Sequence, residues 1–441
     1  DRPREVVALF QGAEPRTLTW NAGGTSDWFD KANWDGEAVP SELDSVVFEG
    51  GTFEVKFPFE MKVVNWTQGG GAVGFVWTKA SINSNGFNDN TVYYVEPIDA
   101  ADTRLYSLSV TGDMTLNGES TKLWFGGLNA AVRHDVTVGG NFSMADTAAF
   151  ELYAGGQADL ADPSTFAAGG AKLKVGGDLT LDGSAVFYPC CHIETGAPVV
   201  MEVARTATIG EKATINANVR GYGRRVWNPG TGYYLKCFGP GAATNADQTG
   251  DPNRKGGSYG GLGGRVSASL FPDGVGYLLA PYLPGSAGIM RPDYGEIFSA
   301  GGAVRISAHK IVLNGKITAN GDGGYCRAGG SGGGVWLTSH KFVLGANGKI
   351  SARGGHCNYG STGGGGGGRI AVMVKANVGQ LEKLYATGVL KGGEVSNLAD
   401  LPDWEGHFDV AGGVGGDSTD YGKPGTAVFV TAPTGVSPIV R

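Results

Sequence analysis

The residues best suited to catalysis form a polar group around Gly-rich segments in the second half of the chain. Its members are Tyr259, Tyr325, Arg327, Arg353, His356, Tyr359 and Arg369. A polysaccharide lyase pairs a cation, which neutralises a uronate carboxylate, with a base that takes the α-proton. In that chemistry His356 or Tyr359 is the base. Arg327 or Arg353 binds the carboxylate. The alternative is a solvated, hydrogen-bonded loop edge without a catalytic role.

The five cysteines are too few for a disulfide framework, but two of them stand at matching places. Cys326 and Cys357 lie 31 positions apart (357 − 326) at equivalent corners of consecutive repeats. Because stacked corners come within disulfide reach, we predict a bridge between them, with two free thiols as the alternative. One of Cys190 and Cys191 would pair with Cys237. The adjacent pair Cys190 and Cys191 could contribute to a metal site, but the spacing of the sequence supplies no fourth ligand for it.

No cofactor is predicted from a defined motif. The glycines of residues 256–264 lack the helix and the acidic residue of a dinucleotide site, and residues 348–351 lead into a strand, unlike a P-loop. Asp247 and Asp251 stand among small residues, where carboxylate and carbonyl oxygens would suit Ca²⁺. Neither an EF-hand nor a nonapeptide repeat accompanies them, so a plain polar loop is the alternative.

Two histidines recur at the repeat distance. His309 and His340 lie 31 positions apart (340 − 309), and a lysine follows each of them. We expect the two rings to stack as an exposed ladder on consecutive repeats. Metal binding is the alternative, although solvent-facing repeat residues are commoner.

The elements that position these residues are short strands. Apolar runs rich in Val, Ile, Leu, Phe and Thr end at Gly, Asn or Asp, which is typical of an all-β chain. Residues 105–117, 135–144 and 171–182 each fit a strand, a Gly-containing corner and a second strand. A helix is predicted only at residues 378–386, where Val378, Leu381 and Leu384 recur three apart.

The repeat sharpens downstream and predicts a parallel β-helix, a solenoid of stacked coils. Matching strand starts place Arg305, Trp336 and Arg369 at equivalent positions, 31 and 33 residues apart (336 − 305 and 369 − 336). The second strand returns as LNGKITA in 313–319 and as ANGKISA in 346–352. The glycine blocks 329–333 and 363–368 precede strands, so we expect them to stack as a compact polyglycine-type layer. Flexible linkers are the alternative.

Three regions follow from this pattern. Residues 1–100 form an N-terminal β cap, either a small β unit or the first coils. Residues 101–375 form the β-helix, with an insertion at 220–300 that is either a lid or padding. Residues 376–441 are an irregular C-terminal cap or last coil. The apolar runs 5–10 and 427–430 either close the two ends or pair head to tail between copies, which would build a filament.

Composition excludes several classes of protein. Gly accounts for 78 of 441 residues, only 17% of residues are charged, and the net charge is −7. An acidic chain of this kind is not expected to bind nucleic acid or an anionic membrane surface. No apolar run is long enough to span a membrane. The chain opens at Asp1 without an initiator Met, as a mature secreted chain would, so we expect an extracellular location.

Two sets of motifs resemble a known class of proteins. The Gly-rich segments GGSYGGLGG at 256–264, GSGGGVWL at 330–337 and GGGGGRIAV at 364–372 resemble those of Gly-rich, adhesin-like secreted proteins of bacteria. The segment WNAGGTSDWFDKANWDGEAVP at 20–40 is similar to the W…ANW…VP segments of autotransporter passengers. The resemblance implies a right-handed β-helix at a cell surface or in an extracellular matrix. It supplies no catalytic residues.

Three functions remain open at this point. The first is a structural or adhesive extracellular protein whose partner is a second copy of itself or a surface polysaccharide. The second is a polysaccharide-processing enzyme of the lyase or glycosidase type on the same scaffold. The third is a non-catalytic glycan-binding module.

Overall fold

A computed structural model describes most of the chain. The described residues are 14–57, 60–75, 77–81, 91–95, 106–127, 133–156, 170–227, 234–242, 255–266, 276–288, 297–298, 300–323, 328–357, 362–417 and 419–433.

Short strands make up most of the regular structure, as predicted for an all-β chain. The first strands are β1 (Thr17–Thr19), β2 (Gly24–Asp27), β3 (Ser45–Phe48), β4 (Phe53–Phe57), β5 (Glu60–Val63), β6 (Trp66–Gln68), β7 (Ala72–Phe75), β8 (Trp77–Ser81), β9 (Thr91–Val95), β10 (Tyr106–Val110), β11 (Met114–Leu116) and β12 (Lys122–Phe125). The next are β13 (His134–Val138), β14 (Phe142–Met144), β15 (Ala149–Tyr153), β16 (Ala171–Val175), β17 (Leu179–Leu181), β18 (Val186–Cys190), β19 (Val199–Ile209), β20 (Thr214–Asn216), β21 (Gly223–Trp227), β22 (Tyr234–Cys237) and β23 (Ile297–Phe298). The last are β24 (Ala303–Leu313), β25 (Lys316–Thr318), β26 (Gly334–Leu344), β27 (Lys349–Ser351), β28 (Arg369–Val374), β29 (Glu394–Asn397), β30 (Phe408–Asp409) and β31 (Thr426–Thr431).

Helical structure is sparse in the described ranges. The helix α1 (Val378–Thr387) lies where the sequence predicts it. Four single turns of 3₁₀ helix complete the set: Lys31–Asn33, Asp35–Glu37, Leu398–Asp400 and Pro402–Trp404.

Two large, mainly parallel sheets contain most of the strands. Sheet I has 16 strands and runs from β1 to β31 and β29, whereas sheet II has 10 strands and runs from β2 to β30. The chain visits the two sheets alternately, and we call each set of consecutive strands, such as β10 to β12 or β13 to β15, a rung. Each rung pairs in parallel with the next rung, so equivalent positions stack.

The predicted strand–corner–strand repeats are confirmed by this register. Leu108 pairs with Val136, which pairs with Leu173, and all three side chains are fully buried. Buried and less buried residues alternate along β10, β13 and β16. This period of two directs one set of side chains into a single apolar core shared by the two sheets.

Most of the N-terminal strands belong to the same two sheets, whereas β8 and β9 form a separate antiparallel pair. β3 pairs with β6, and β6 with β11, so the strands β1 to β7 continue the stack as its first rungs. Trp20, Trp28 and Trp34 of the W…ANW…VP segment pack together, with ring centroids 5.0 Å apart for the first and third and 4.8 Å apart for the last two. These tryptophans are buried in the core, and their role is therefore packing.

The predicted alignment of Arg369 with Trp336 is wrong by two residues. Arg305 pairs with Trp336 as predicted, but Trp336 pairs with Ala371, and Arg369 pairs with Gly334. A slip of two residues keeps every side chain on its original face, so alternation alone cannot detect it.

The insertion at 220–300 separates two rungs that pair directly. Val199 of β19 pairs with Val304 of β24, 105 residues later (304 − 199). Strands β21, β22 and β23 form a small antiparallel sheet within the insertion. Another part, around Ala280 and Tyr282, packs on the outer face of sheet I. The insertion therefore covers the stack from outside.

A second packed region is built mainly from contacts between backbones. We call it the Gly layer; its segments are 256–264, 328–333, 352–357, 362–368, 410–416 and 420–425. Backbone hydrogen bonds link these segments outside any strand: Gly257 donates to the Gly329 carbonyl at 2.9 Å, Gly329 to Gly363 at 3.0 Å, and Gly366 to Gly257 at 2.9 Å. The glycine blocks are thus buried and ordered in the predicted layer, and the flexible-linker alternative is wrong.

The C-terminal end of sheet I is covered by the chain itself. β31 pairs in parallel with β28, as the apolar run 427–430 predicts, and β29 pairs antiparallel with its other edge. β29 carries Glu394, Ser396 and Asn397, a polar composition that discourages further strand addition. The C-terminal run is therefore not an open edge. The run 5–10 lies outside the described residues.

Candidate functional site

A concavity lies between α1 and the outer face of sheet I. It is a cleft of about 640 Å³, within the usual size of ligand pockets. Outward-facing residues of β16, β19, β24 and β26 line one side, and Val378, Leu381, Glu382 and Tyr385 of α1 line the other.

Capping and packing hold α1 in place over the sheet. Asn377 caps its N-terminus in a reciprocal capping box with Gln380, and Gly388 ends it in the left-handed conformation. Leu384 is fully buried in an apolar cluster that contains Trp336 and Met373 of the sheet. The helix wall of the cleft is therefore fixed.

Arg305 is the buried charge at the base of the cleft. Its side chain is 3% exposed, and its Cζ lies 4.8 Å from the ring centroid of Tyr385 and 5.7 Å from that of Trp336. Its Nη2 donates a hydrogen bond to the Tyr385 hydroxyl. Removal from water lowers the pKa of Arg305 to about 10, against the opposing effect of the Glu202 carboxylate. The guanidinium remains charged at neutral pH.

The rim of the cleft carries both polar and apolar groups. Glu202 forms an ion pair with Lys172 at 2.9 Å, Lys174 and Glu382 are exposed, and Val378 is 71% exposed. At the base, the indole Nε1 of Trp336 is buried and has no hydrogen-bond partner among the described residues. An apolar wall facing polar groups is suited to binding an amphipathic molecule with hydroxyl or carboxylate groups.

The two predicted lyase residues within the described ranges have other partners. His356 Nδ1 accepts a hydrogen bond from the Val414 backbone at 2.9 Å, and Arg353 forms an ion pair with Asp409 at 3.3 Å. Desolvation, with a smaller contribution from Arg353, lowers the pKa of His356. With Nδ1 accepting, the neutral ring carries its proton on Nε2, which faces Arg353 Nη2 at 3.4 Å. This arrangement ties two loops together and offers no free basic nitrogen.

Two further members of the predicted polar group are not at a polar edge. Tyr259 is fully buried, and Arg369 is 4% exposed with its Nη1 donating to the Thr426 hydroxyl at 3.0 Å. Burial raises the pKa of Tyr259 far above its ordinary value. Both were predicted at a polar edge beside the Gly-rich coils, and they are instead buried within the packing of those segments. The predicted residues Tyr325, Cys326, Arg327, Tyr359, Asp247 and Asp251 lie outside the described residues.

The described cysteines act as thiols in local hydrogen bonds. Cys357 is buried and free, and its Sγ donates to the Gly363 carbonyl at 3.0 Å. Its pairing with Cys326 stays a prediction. Cys190 donates to the Tyr188 carbonyl at 3.6 Å and Cys237 to the Gly288 carbonyl at 3.5 Å. Neither Cys190 nor Cys191 is bridged to Cys237, so the pairing suggested by the sequence is wrong.

The stacked histidines are confirmed. The rings of His309 and His340 are 5.3 Å apart and 8° from parallel, and both side chains are exposed. No cluster of three or more His, Cys, Asp or Glu side chains suited to a metal ion occurs in the described part of the chain.

The cleft was missed by sequence reasoning because α1 follows the strands it covers by many residues. One signal was available. Trp336 and Arg305 stand at strand positions that alternate with core residues, so both must point outward. A large outward-facing Trp predicts a covering element on that face of the sheet.

Comparisons with known proteins give no relative. No family model, no curated protein and no solved structure matches the chain. Among the described ranges, helices long and apolar enough to cross a bilayer are absent.

Proposed function

We propose that this protein is a structural or adhesive extracellular protein of a bacterial surface or matrix, built as a right-handed parallel β-helix. The observation that carries this proposal is the continuous parallel pairing of sheet I from β1 to β31. Ten pairing steps of about 4.8 Å correspond to a rise of roughly 48 Å. A stack of this kind is a stiff scaffold that presents equivalent side chains at a fixed spacing.

A ladder of polar side chains at one corner supports the same proposal. Asn65 Oδ1 accepts the Asp113 backbone N–H at 2.9 Å, Asp113 Oδ1 accepts that of Asn141 at 2.7 Å, and Asn141 Oδ1 accepts that of Asp178 at 3.0 Å. Asp178 Oδ1 then accepts the Thr206 N–H at 2.8 Å. Each rung thus fixes the next rung at the same corner, as stacked coils require.

The experiment for this proposal combines shape and attachment. Small-angle scattering of the purified chain should give one elongated particle, and a crystal structure should give right-handed coils. The labelled protein should also be retained on extracellular matrix extracted from bacteria more strongly than on an uncoated support. Left-handed coils, two separable globular units or equal retention on both supports would contradict the proposal.

A second candidate function, a glycan-binding module, is favoured by the cleft under α1. Its apolar helix wall and its charged rim would suit the two faces of a sugar ring. Ala204→Trp would fill the cleft from an exposed position, whereas Ala386→Trp would add the same bulk to an exposed helix position outside it. In a glycan-array assay the first variant should lose bound glycans and the second should keep them. Equal profiles for both would reject the cleft as the site.

A further inference from the structure

One corner of sheet I carries a row of basic side chains that the cleft does not include. We call it the basic ridge. Its members are Arg205, His309, Lys310, His340, Lys341 and Lys375.

The strand register places these residues on four consecutive rungs. Lys310 pairs directly with Lys341, and the adjacent rings of His309 and His340 stack at 5.3 Å. At one end, Val203 pairs with Ala308 and Thr206 with Lys310, so the bulge containing Arg205 stands opposite His309. At the other end, the Lys375 backbone N–H donates to the Ser339 carbonyl at 2.9 Å, which places Lys375 beside His340. The row is therefore continuous.

The ridge is exposed, and its charge is not neutralised. Arg205, Lys341 and Lys375 are exposed, and Lys310 is half-buried. None of these four cations forms an ion pair with a carboxylate in the described part of the chain. One acid at this corner, Asp178, is occupied by the backbone, since its Oδ1 accepts the Thr206 N–H at 2.8 Å. In a chain with a net charge of −7, this unpaired row is a local excess of positive charge that favours binding of an anion.

The spacing of the row indicates the shape of that anion. Rungs lie about 4.8 Å apart, close to the length of one sugar residue in a 1,4-linked chain. Imidazole rings between the cations can hydrogen-bond sugar hydroxyls. A narrow strip of cations, with Lys310 and Lys341 stacked and Arg205 and Lys375 in line with the two histidines, fits one linear polymer with one carboxylate per residue. Duplex nucleic acid carries two dense rows of phosphates, and the acidic remainder of the protein would repel it.

We propose that the basic ridge binds a linear acidic polysaccharide, with uronate carboxylates on Arg205, Lys310, Lys341 and Lys375. The inference deepens the proposed function, on which it rests, because it assigns attachment to one corner and names the class of polymer. It involves binding only. The cleft lies beside the ridge, since Ala204 lines the former and Arg205 belongs to the latter.

The test compares two charge-matched double variants of the full chain. Lys310→Gln with Lys341→Gln removes two stacked lysines of the ridge, and Lys316→Gln with Lys349→Gln removes two stacked, exposed lysines from the next strands of the same two rungs. Binding to immobilised polygalacturonate is measured at low and high salt. The ridge variant should bind roughly tenfold more weakly, while the control should change by less than about twofold. Binding of the unmodified chain should also fall with salt.

Three results would overturn the assignment. They are equal weakening by both variants, no binding of polygalacturonate by the unmodified chain, and binding of duplex DNA as tight as that of polygalacturonate with the same dependence on Lys310 and Lys341. Uncharged dextran should not bind. If the ridge does not bind polygalacturonate, the small-angle scattering profile of the stack is unaltered. Failure of the ridge assignment is therefore distinguished from failure of the β-helix proposal.

Discussion

The apolar core and the Gly layer hold the same rungs together in different ways. In the core, side chains such as Ile350 and Leu337 fill the space between sheets I and II and are removed from water. In the Gly layer the backbones themselves are in contact, and hydrogen bonds replace side-chain packing. The stability of the core thus depends on the volume of each buried side chain, whereas the stability of the layer depends on glycines that have no side chain.

Glycine serves close approach in this layer. The glycines of 329–333 and 363–368 do not adopt left-handed conformations, so backbone freedom is not the reason for them. A Cβ on Gly365 would run into the Gly330 carbonyl and stand 3.0 Å from the Gly355 nitrogen. Because backbone atoms surround the position, no side chain can turn aside to make room. A Gly-rich sequence here specifies a rigid region.

The largest expected effect comes from adding one carbon to the layer. Gly365→Ala should lower the free energy of unfolding by about 3 kcal/mol or more, at or above the upper end for overpacking, because the obstruction is backbone. Chemical denaturation monitored by circular dichroism measures this change. Gly379→Ala is the matched control, since its Cβ would meet only Asn377 Oδ1 at 3.7 Å within α1, and it should be neutral or slightly stabilising. Equal stability of the two variants would break the comparison.

Removing one carbon from the core should have a smaller effect. Ile350 is 1% exposed on β27. Ile350→Val leaves a small cavity and should cost about 1 kcal/mol of unfolding free energy, measured in the same denaturation experiment. A loss as large as that of Gly365→Ala would show that the core and the layer tolerate volume changes equally.

The smallest effect is expected at the corner ladder. Asn141→Ala removes the oxygen that accepts the Asp178 N–H at 3.0 Å, at an exposed position where water replaces it. The loss should be about 0.5 kcal/mol, at the lower end for a hydrogen bond. Asn141→Asp keeps an accepting oxygen but adds a carboxylate between Asp113 and Asp178, so it should restore part of this loss in a thermal melt at high salt, where the repulsion is screened. If both variants are equally stable, the ladder contributes nothing to the stack.

Much of the fold was predictable because its period is short. Alternation identifies strands such as β10 and β13, and the recurring NGKI motif fixes the register of Lys316 on Lys349. The misplaced Arg369 shows the limit of this approach. Side-chain alternation repeats every two residues, so a shift of two leaves the pattern intact, and the actual register also depends on the lengths of the Gly-layer segments.

The candidate site was less predictable than the fold. The stacked histidines and their lysines follow from the repeat, but Arg205 and Lys375 occupy a bulge and a strand end, outside any repeated motif. The net charge also gives no indication of the ridge, because a total of −7 for the whole chain does not show where cations are locally in excess. The cleft depends on α1, whose docking on Trp336 is a long-range contact. Such contacts are set by the assembled surface rather than by local pattern.

The 105-residue step from Val199 to Val304 has a consequence for how the chain folds and diversifies. The preceding step, from Ala171 to Val199, spans 28 residues (199 − 171). Just under two doublings of loop length add only about 1 kcal/mol of closure entropy, so a long segment between rungs hardly affects equilibrium. A long segment does delay the pairing of strands that are distant in sequence. We therefore expect the pairing of β19 with β24 to be a slow folding step that follows formation of the earlier rungs. The same tolerance makes this position a site where evolution can exchange one inserted segment for another while the strands on either side keep their register.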